Sequence, residues 1–321
     1  PGMTSVNNRQ VLIDAYGIDA LAIHPVPAGF SAKAYRVQGR IGDFFLKIYD
    51  QRDPSTRQWA ERIGQVLPVV HWLQGQEGLG DCLCVPIRAQ DGSFYCSQGR
   101  YIYLVYPFIE GRTIGDEPLE PARIRELARI VGRLHRQEAG MTVSASLRET
   151  FAVPMIASLP DRLGPMISSD LHAILEPHEA VIRQSCSTIL TLSGTLAGSG
   201  LPFVWCHGDL HGWNLIQARN LVLVDWETLI LAPAEADLCS FSQGFFFGYG
   251  WNEALAAYRS VCPFGEVNRD ALLFYRLKRV LEDIALFGES LLDGKLDPER
   301  RAWTSRCLEL VCRQLGGVDV M

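Results

Sequence analysis

Apolar and polar positions change rhythm along the chain, and each rhythm predicts a different element. AYRVQGR (34–40) and DFFLKIY (43–49) are rich in β-branched and aromatic residues and are joined by a glycine-containing turn, so they predict two strands. QWAERIGQVLPVVHWLQ (58–74) reads as a helix that Pro68 is expected to kink or split. CLCVPIRA (82–89), a turn at Asp91-Gly92 and RYIYLVYPFI (100–109) predict a further strand pair closed as a hairpin. The first third is therefore expected to be an antiparallel sheet with one inserted helix. After EGRTIGDEPLEP (110–121) the rhythm turns helical. Ile124, Leu127, Val131 and Leu134 recur at helical spacing, and Pro121 suits a first turn. Residues 170–197 also read as helical, 141–165 show no decisive period, and LAGSGLPF (196–203) breaks the chain. Beyond it, 251–262, 269–292 and 299–315 read as amphipathic helices. No repeat, low-complexity run or long linker is present, so two lobes, 1–108 and 109–321, are expected to meet at a short hinge near 106–112.

Composition narrows the class. With 48% hydrophobic and 21% charged residues, the 321-residue chain can bury a large interior. A net charge of −6 argues against a nucleic-acid partner, whose phosphates call for surplus Lys and Arg, and leaves room for an acidic pocket facing a cation. Nine cysteines, an odd number with no C-x-x-C pair, predict buried free thiols in a reducing compartment. The opening PGMTSVNNRQ lacks a basic segment followed by an apolar one, and its first two residues read as a cloning remnant before Met3. No apolar run approaches the ~18 residues of a membrane span, so a cytoplasmic protein is expected.

The chemistry concentrates in HGDLHGWNLI (207–216) and LVDWE (223–227). The flanking apolar runs predict a strand, a turn and then a β-hairpin with its tip at 218–220. Asn214 would start one strand and Asp225 end its partner, and paired strands lie about 4.8 Å apart. Hard oxygen ligands brought together in this way suit Mg²⁺, and Asp209 on the same turn is placed to meet an incoming hydroxyl. Taken singly, each of these residues could equally close a turn through side-chain bonds to the backbone. A turn alone does not need the distant Asp225. Lys47, between Leu46 and Ile48, points to one side of a sheet, as a functional cation or as a charged guard on an edge strand.

HGDLHGWN followed by VDWE resembles the catalytic signature of the aminoglycoside phosphotransferase and kinase-like small-molecule kinase family. FFLKIY, YPFIEG and VGRLHR extend the likeness over nearly the whole chain, and AYGIDA, YPFI and VLEDIALFGESLL are most similar to spectinomycin-type phosphotransferases. The resemblance implies an α+β, two-lobed protein-kinase-like fold: an N-terminal nucleotide-binding lobe (1–108) of antiparallel sheet and one helix, and a larger, mainly helical lobe (109–321) for catalysis and acceptor binding. It implies Asp209 as the catalytic residue that orients and deprotonates the acceptor hydroxyl, Asn214 and Asp225 as Mg²⁺ ligands, and Lys47 on the α- and β-phosphates of ATP, with GTP open. Glu61, the only acid in 58–74, would pair with Lys47 or else stand in solvent. Gly29 and Ser31 in PAGFSAKAY would offer donors to the phosphates, although an ordinary hairpin turn explains them equally well. The backbone of Pro107, Phe108 and Ile109 would face adenine, while the rings of Tyr106 and Phe108 read as sheet core more than as nucleotide stackers. His207 and Asp237 would brace the catalytic loop, and His211 would stabilise it. Glu227 is left open as a group that approaches the metal through water. No G-x-x-x-x-G-K-[ST] segment exists, which excludes a P-loop mechanism.

The expected reaction is O-phosphorylation of an aminoglycoside- or aminocyclitol-like antibiotic or a similar small molecule. A small-metabolite kinase for a sugar, choline or homoserine-like compound, or a stress-related protein serine/threonine kinase, is the alternative. Glu282, Asp283 and Glu289 are candidates for contacting an acceptor's ammonium groups, or form a solvated acidic stripe. The aromatic run 241–253 could wall that pocket or pack beneath the second lobe. The expected partners are a nucleotide and a hydroxyl acceptor, with no nucleic acid or membrane, for a monomer or homodimer. Sequence leaves open the acceptor, the hydroxyl modified and a role in resistance or metabolism.

Overall fold

A computed structural model describes residues 5–26, 32–138, 144–167, 170–242, 247, 250–263 and 266–317. The chain forms two compact units. One comprises Pro1–Glu117, Arg129–Leu147 and Asp209–Leu229; the other comprises Pro118–Ala128, Arg148–Gly208 and Ile230–Met321.

The first unit is built on a five-stranded antiparallel sheet. Its strands are β1 (Ala20–Val26), β2 (Lys33–Gly39), β3 (Gly42–Asp50), β4 (Cys96–Gln98) and β5 (Tyr101–Pro107), in the order β1-β2-β3-β5-β4. Helices α1 (Ser5–Tyr16) and α2 (Pro54–Gln74) cover opposite faces. Side chains alternate across β3, so Leu46 and Ile48 join Val11, Leu12 and Tyr16, whereas Tyr49 joins Ala60, Ile63 and Leu67 of α2. The predicted strands at 34–40 and 43–49 are thus present with their turn between them.

Two expectations change. CLCVPIRA is not a sheet strand: it runs as irregular chain whose backbone bonds go to separate places, Cys84 N–H to Leu223 O and Ile87 N–H to Val105 O. Pro86 has no N–H and interrupts any ladder there. The Asp91-Gly92 turn forms, but the hairpin partner of β5 is the short β4. Nor does Pro68 split α2, which runs unbroken from Pro54 to Gln74. The helix buries Ile63, Val66, Leu67, Val69, Val70 and Leu73 on both sides of the proline. At about 1.5–3 kcal/mol per buried side chain, these outweigh a proline penalty of about 3 kcal/mol.

Past β5, β6 (Arg112–Thr113) pairs with β8 (Leu215–Gln217), which pairs in turn with β9 (Leu221–Leu223). Helix α3 (Pro121–His135) begins in the second unit and ends in the first, with Ile124, Leu127, Val131 and Leu134 all buried as their spacing predicts. The rest of the second unit is mainly helical: α4 (Pro154–Ile167), α5 (His172–Leu175), α6 (Glu179–Ala197), α7 (Glu235–Leu238), α8 (Trp251–Arg259), α9 (Arg269–Leu292) and α10 (Pro298–Gly316). A two-stranded ribbon of β7 (Val204–Cys206) and β10 (Ile230–Ala232) accompanies them. Helix α9 is the axis of its core. Phe274, Leu277, Leu281, Ile284 and Leu291 recur at helical intervals and are buried against α4, α6 and α10. Asn268 caps α9 by accepting the Ala271 N–H at 2.9 Å, and Asp297 caps α10 in the same way from Arg300 at 2.8 Å. In the ambiguous 141–165, the described part from 144 onward holds a 3₁₀ turn at Ala145–Leu147 and the first part of α4. The architecture is α+β, with an antiparallel N-terminal sheet and a helical C-terminal part, as expected.

Candidate active site

The hairpin of β8 and β9 brings the ends of the conspicuous motif together. Its tip closes where Ala218 N–H meets Asn220 O, and at its open end Val224 N–H donates to Asn214 O at 3.1 Å. Asn214 and Asp225 therefore flank the same end of the ribbon. Asp225 adopts a left-handed conformation (φ 64°, ψ 64°), which Asp tolerates better than most residues but which still costs on the order of 1–3 kcal/mol. Such strain persists only where neighbours hold the residue in place. Here the neighbour is Lys47.

Lys47 lies on β3, the middle strand of the sheet, opposite Ala34 on β2 and Leu104 on β5. This rules out the edge-strand reading. Its Nζ is 2.5 Å from Asp225 Oδ1 and 3.0 Å from Glu227 Oε1. Burial by itself would push the ammonium's pKa down, but Asp225 and Glu227 more than offset that, and the net shift is upward. Lys47 is a fixed cation. Tyr49, two residues further along the same face of β3, also bonds Glu227 Oε1 through its hydroxyl.

Glu61 does not pair with Lys47. It forms an i,i+4 pair with Arg57 at 2.8 Å and its side chain is 63% exposed. Ala60 and Ile63 define the buried stripe of α2, and Glu61 falls off that stripe. The carboxylate that meets Lys47 together with Asp225 comes instead from Glu227, two residues beyond Asp225, with a side chain only 10% exposed. The VDWE motif held the signal, although nothing local in it names Lys47 as the partner. Helix α2 contributes through Arg62, which donates to Leu229 O at 2.9 Å and ties the helix to the end of this turn.

Asp209 is held from two directions. Asn214 Nδ2 donates to its backbone oxygen at 2.9 Å and to Oδ2 at 3.1 Å, and His211 Nε2 lies 3.2 Å from the same Oδ2. The other ring nitrogen, His211 Nδ1, accepts the Trp213 N–H at 3.3 Å. Nδ1 is therefore unprotonated and Nε2 carries the hydrogen that points at Asp209. Two groups thus converge on Oδ2. Upstream, Asp237 in α7 accepts the N–H groups of His207 (2.8 Å) and Gly208 (2.9 Å), bracing the chain that leads into Asp209.

The donor set fits a hard divalent cation. Asn214 spends its amide nitrogen on Asp209, which turns its carbonyl oxygen the other way, and the Asp225 carboxylate is 42% exposed.

The other predicted residues divide. Gly29 and Ser31 lie outside the described residues. Pro107 ends β5 and has no N–H; the Phe108 N–H is spent on Asp43 O at 3.1 Å, and its ring lies 4.2 Å beneath the Arg36 guanidinium. Of this trio, only the Ile109 N–H remains as a candidate donor to a base edge. On α9, Glu282 lies 3.8 Å from Lys278, Asp283 lies 3.1 Å from Arg279, and Glu289 pairs with Arg162 of α4. Each predicted ammonium reader already faces a cation of the protein. Burial also raises the Glu282 pKa, against the opposing pull of Lys278. Within 241–253, Phe241 and Phe247 are buried and pack on each other at 5.4 Å, as core does, while 243–246, 248 and 249 lie outside the described residues.

Residues 22–272 match the profile of the Phosphotransferase enzyme family, APH. The chain belongs to that family. It is a phosphotransferase, and solved structures agree on its fold. Spectinomycin phosphotransferase APH(9)-Ia, in complex with ADP and spectinomycin, is 18% identical with a TM-score of 0.80, and the match covers 99% of both chains. A microcompartment-associated aminopropanol kinase is 14% identical with a TM-score of 0.67, again over 99% of both. The amicoumacin kinase hAmiN, in complex with AMP-PNP, Ca²⁺ and Ami, is 14% identical with a TM-score of 0.62, over 97% of this chain and 94% of that one. No curated protein matches the chain by sequence. No helix among the described residues is long and apolar enough to cross a membrane.

Proposed function

We propose that the chain transfers the γ-phosphoryl group of ATP, in the presence of Mg²⁺, to a hydroxyl of a small amine-bearing molecule such as an aminocyclitol antibiotic or an amino alcohol. The observation that carries this reading is the convergence of Lys47 on Asp225 at the hairpin end where Asn214, bonded to Val224, also holds Asp209 Oδ2 together with His211. In this reading the Asp209 carboxylate accepts the proton of the acceptor hydroxyl while the hydroxyl oxygen forms a bond to the γ-phosphorus. The bond from γ-phosphorus to the bridging oxygen breaks, and ADP leaves with the electron pair. Lys47 neutralises phosphate charge, and Glu227 and Tyr49 keep its ammonium in place. Mg²⁺ held by Asn214 Oδ1 and Asp225 would offset the remaining triphosphate charge. Ile109 N–H would meet the adenine edge. Alignment and charge neutralisation supply most of the acceleration, because phosphoryl transfer asks little covalent chemistry of the protein.

The acceptor class draws support from the relatives of this fold, which include a spectinomycin phosphotransferase and an aminopropanol kinase. The test is incubation with Mg-ATP and a panel of aminocyclitols, sugars and amino alcohols, with mass spectrometry for a product carrying one added phosphate. Asp209→Asn is expected to lower turnover about a thousandfold and to leave ADP affinity within about twofold by calorimetry. Near-wild-type turnover in that variant would remove Asp209 from the mechanism, and label incorporated into protein substrates instead would favour a protein kinase.

A further inference from the structure

The acids on α9 that could have read an ammonium are each paired with a cation, which leaves an amine-bearing acceptor without a partner there. A different group stands beside the base. Trp213, between Asp209 and Asn214, is 55% exposed and is the only exposed aromatic side chain among the described residues. It does not hang free. Its indole Nε1–H donates to Asp116 Oδ1 at 2.9 Å, and its backbone N–H donates to His211 Nδ1, whose ring also touches Asp209.

The floor beneath the indole is built for close approach. A side chain at Gly115 (φ +63°) would begin 3.5 Å from the benzo ring, and one at Gly212 would begin 2.1 Å from Gly115 O. Gly115 N–H donates to Gly212 O at 3.0 Å, so the two glycines clamp the Asp116 segment against the catalytic turn. The polar edge of the indole is satisfied, part of the ring rests on Gly115, and the remainder of its π surface faces outward next to the Asp116 carboxylate.

We infer that Trp213 and Asp116 form the acceptor's ammonium subsite, with the cation held over the indole face and against the carboxylate while the acceptor hydroxyl reaches Asp209. An indole is the strongest of the protein π faces for a cation, and a carboxylate at its edge adds charge attraction. A neutral polyol gains little from such a pair. The subsite thus selects amine-bearing acceptors over sugars of the same size. The nearby cation Arg112 is engaged with Glu117 at 2.5 Å and with Gln217 at 3.3 Å, and so does not neutralise Asp116 directly.

This inference rests on the phosphotransfer reading, and the experiment separates the two. With an aminated acceptor that the wild-type chain phosphorylates and with its N-acetylated form, Trp213→Leu is expected to raise the KM of the aminated acceptor about tenfold. The KM for ATP should stay within about twofold, and the preference for the amine over its N-acetyl form should fall in proportion. Asp116→Asn should act in the same direction, and Trp213→Phe should restore part of the loss because it keeps a π face. An unchanged acceptor KM, or an equal loss on both acceptor forms, overturns the subsite. If no acceptor is phosphorylated at all, it is the phosphotransfer reading that falls. The subsite is then judged by the 5-fluorotryptophan resonance of Trp213 in protein saturated with Mg-ADP: a shift on adding spectinomycin or 1-amino-2-propanol supports it, and an unmoved resonance overturns it.

Discussion

Glu227 shows how much one side chain can carry. Its Oε1 receives both Lys47 and Tyr49, so the cation at the site is positioned by an acid 180 residues away in sequence. Both Lys47 and Glu227 are largely withdrawn from water, and removing one partner of such a pair leaves the other charge uncompensated. Lys47→Met is therefore expected to destabilise the protein by about 3 kcal/mol, and Glu227→Gln by a smaller amount, since the amide oxygen still accepts from Lys47 and Tyr49. The double variant should be more stable than the sum of the single losses by at least about 1 kcal/mol, as read from urea unfolding in a double-mutant cycle. Strict additivity would mean that the two side chains do not interact in solution. Legibility differed sharply among these residues. Asp209, Asn214, Asp225 and Lys47 could be picked out because each stands at a fixed offset inside a short apolar frame. Glu227 was visible only as a group that approaches the metal through water, not as the partner of Lys47, and nothing local singles out Trp213.

Among the elements, α2 is the instructive case. A helical hydrophobic stripe and an internal proline gave opposing signals over 58–74, and the stripe prevailed because its burial energy exceeds the loss of one hydrogen bond and the steric strain of the ring. Pro68 has no N–H to donate to Gly64 O, and a proline ring inside a helix generally crowds the carbonyl four residues back. Pro68→Ala is thus expected to stabilise the protein by about 2 kcal/mol, measurable as a raised urea midpoint at unchanged slope. A lowered midpoint would show that the ring packs in a way that compensates for the bond. The failure of 82–89 to form a strand has the opposite origin. Its apolar run is long enough for one, but Pro86 removes a donor, and the segment satisfies its backbone at two unrelated partners, Leu223 and Val105. Period and turn residues report a chain's own preferences; they do not report which neighbour will supply its hydrogen bonds.

At the level of the whole molecule, none of the nine cysteines is in a disulfide, six of them being buried and three half-buried. Burial pushes the Cys186 thiol up to about 11 and those of Cys84, Cys239 and Cys312 up to about 12, so these four are scarcely ionised near neutral pH. Native protein at pH 8 is expected to react rapidly with Ellman's reagent at no more than the three half-buried thiols, Cys84, Cys96 and Cys307, against nine after denaturation. Rapid reaction of six or more would mean that the interior opens readily. Reducing agent should leave the melting temperature unchanged, since no disulfide is present to break among the described residues.

Residue types and spacing alone were enough to mark an antiparallel sheet followed by a helical part, most of the helices, the β8–β9 hairpin and the candidate residues Asp209, Asn214, Asp225 and Lys47. These are local in origin: a strand alternates with period two, a helix repeats every 3.6 residues, and a hairpin brings its own ends together. Folding in three dimensions was needed to give Lys47 its partner in Glu227, to send Glu61 to the solvent side of α2, to pair off the acids of α9, and to set Trp213 beside Asp116. Those pairings join segments far apart in the chain, and which side chains meet there depends on how helices and sheet pack, a quantity no short window of residues contains.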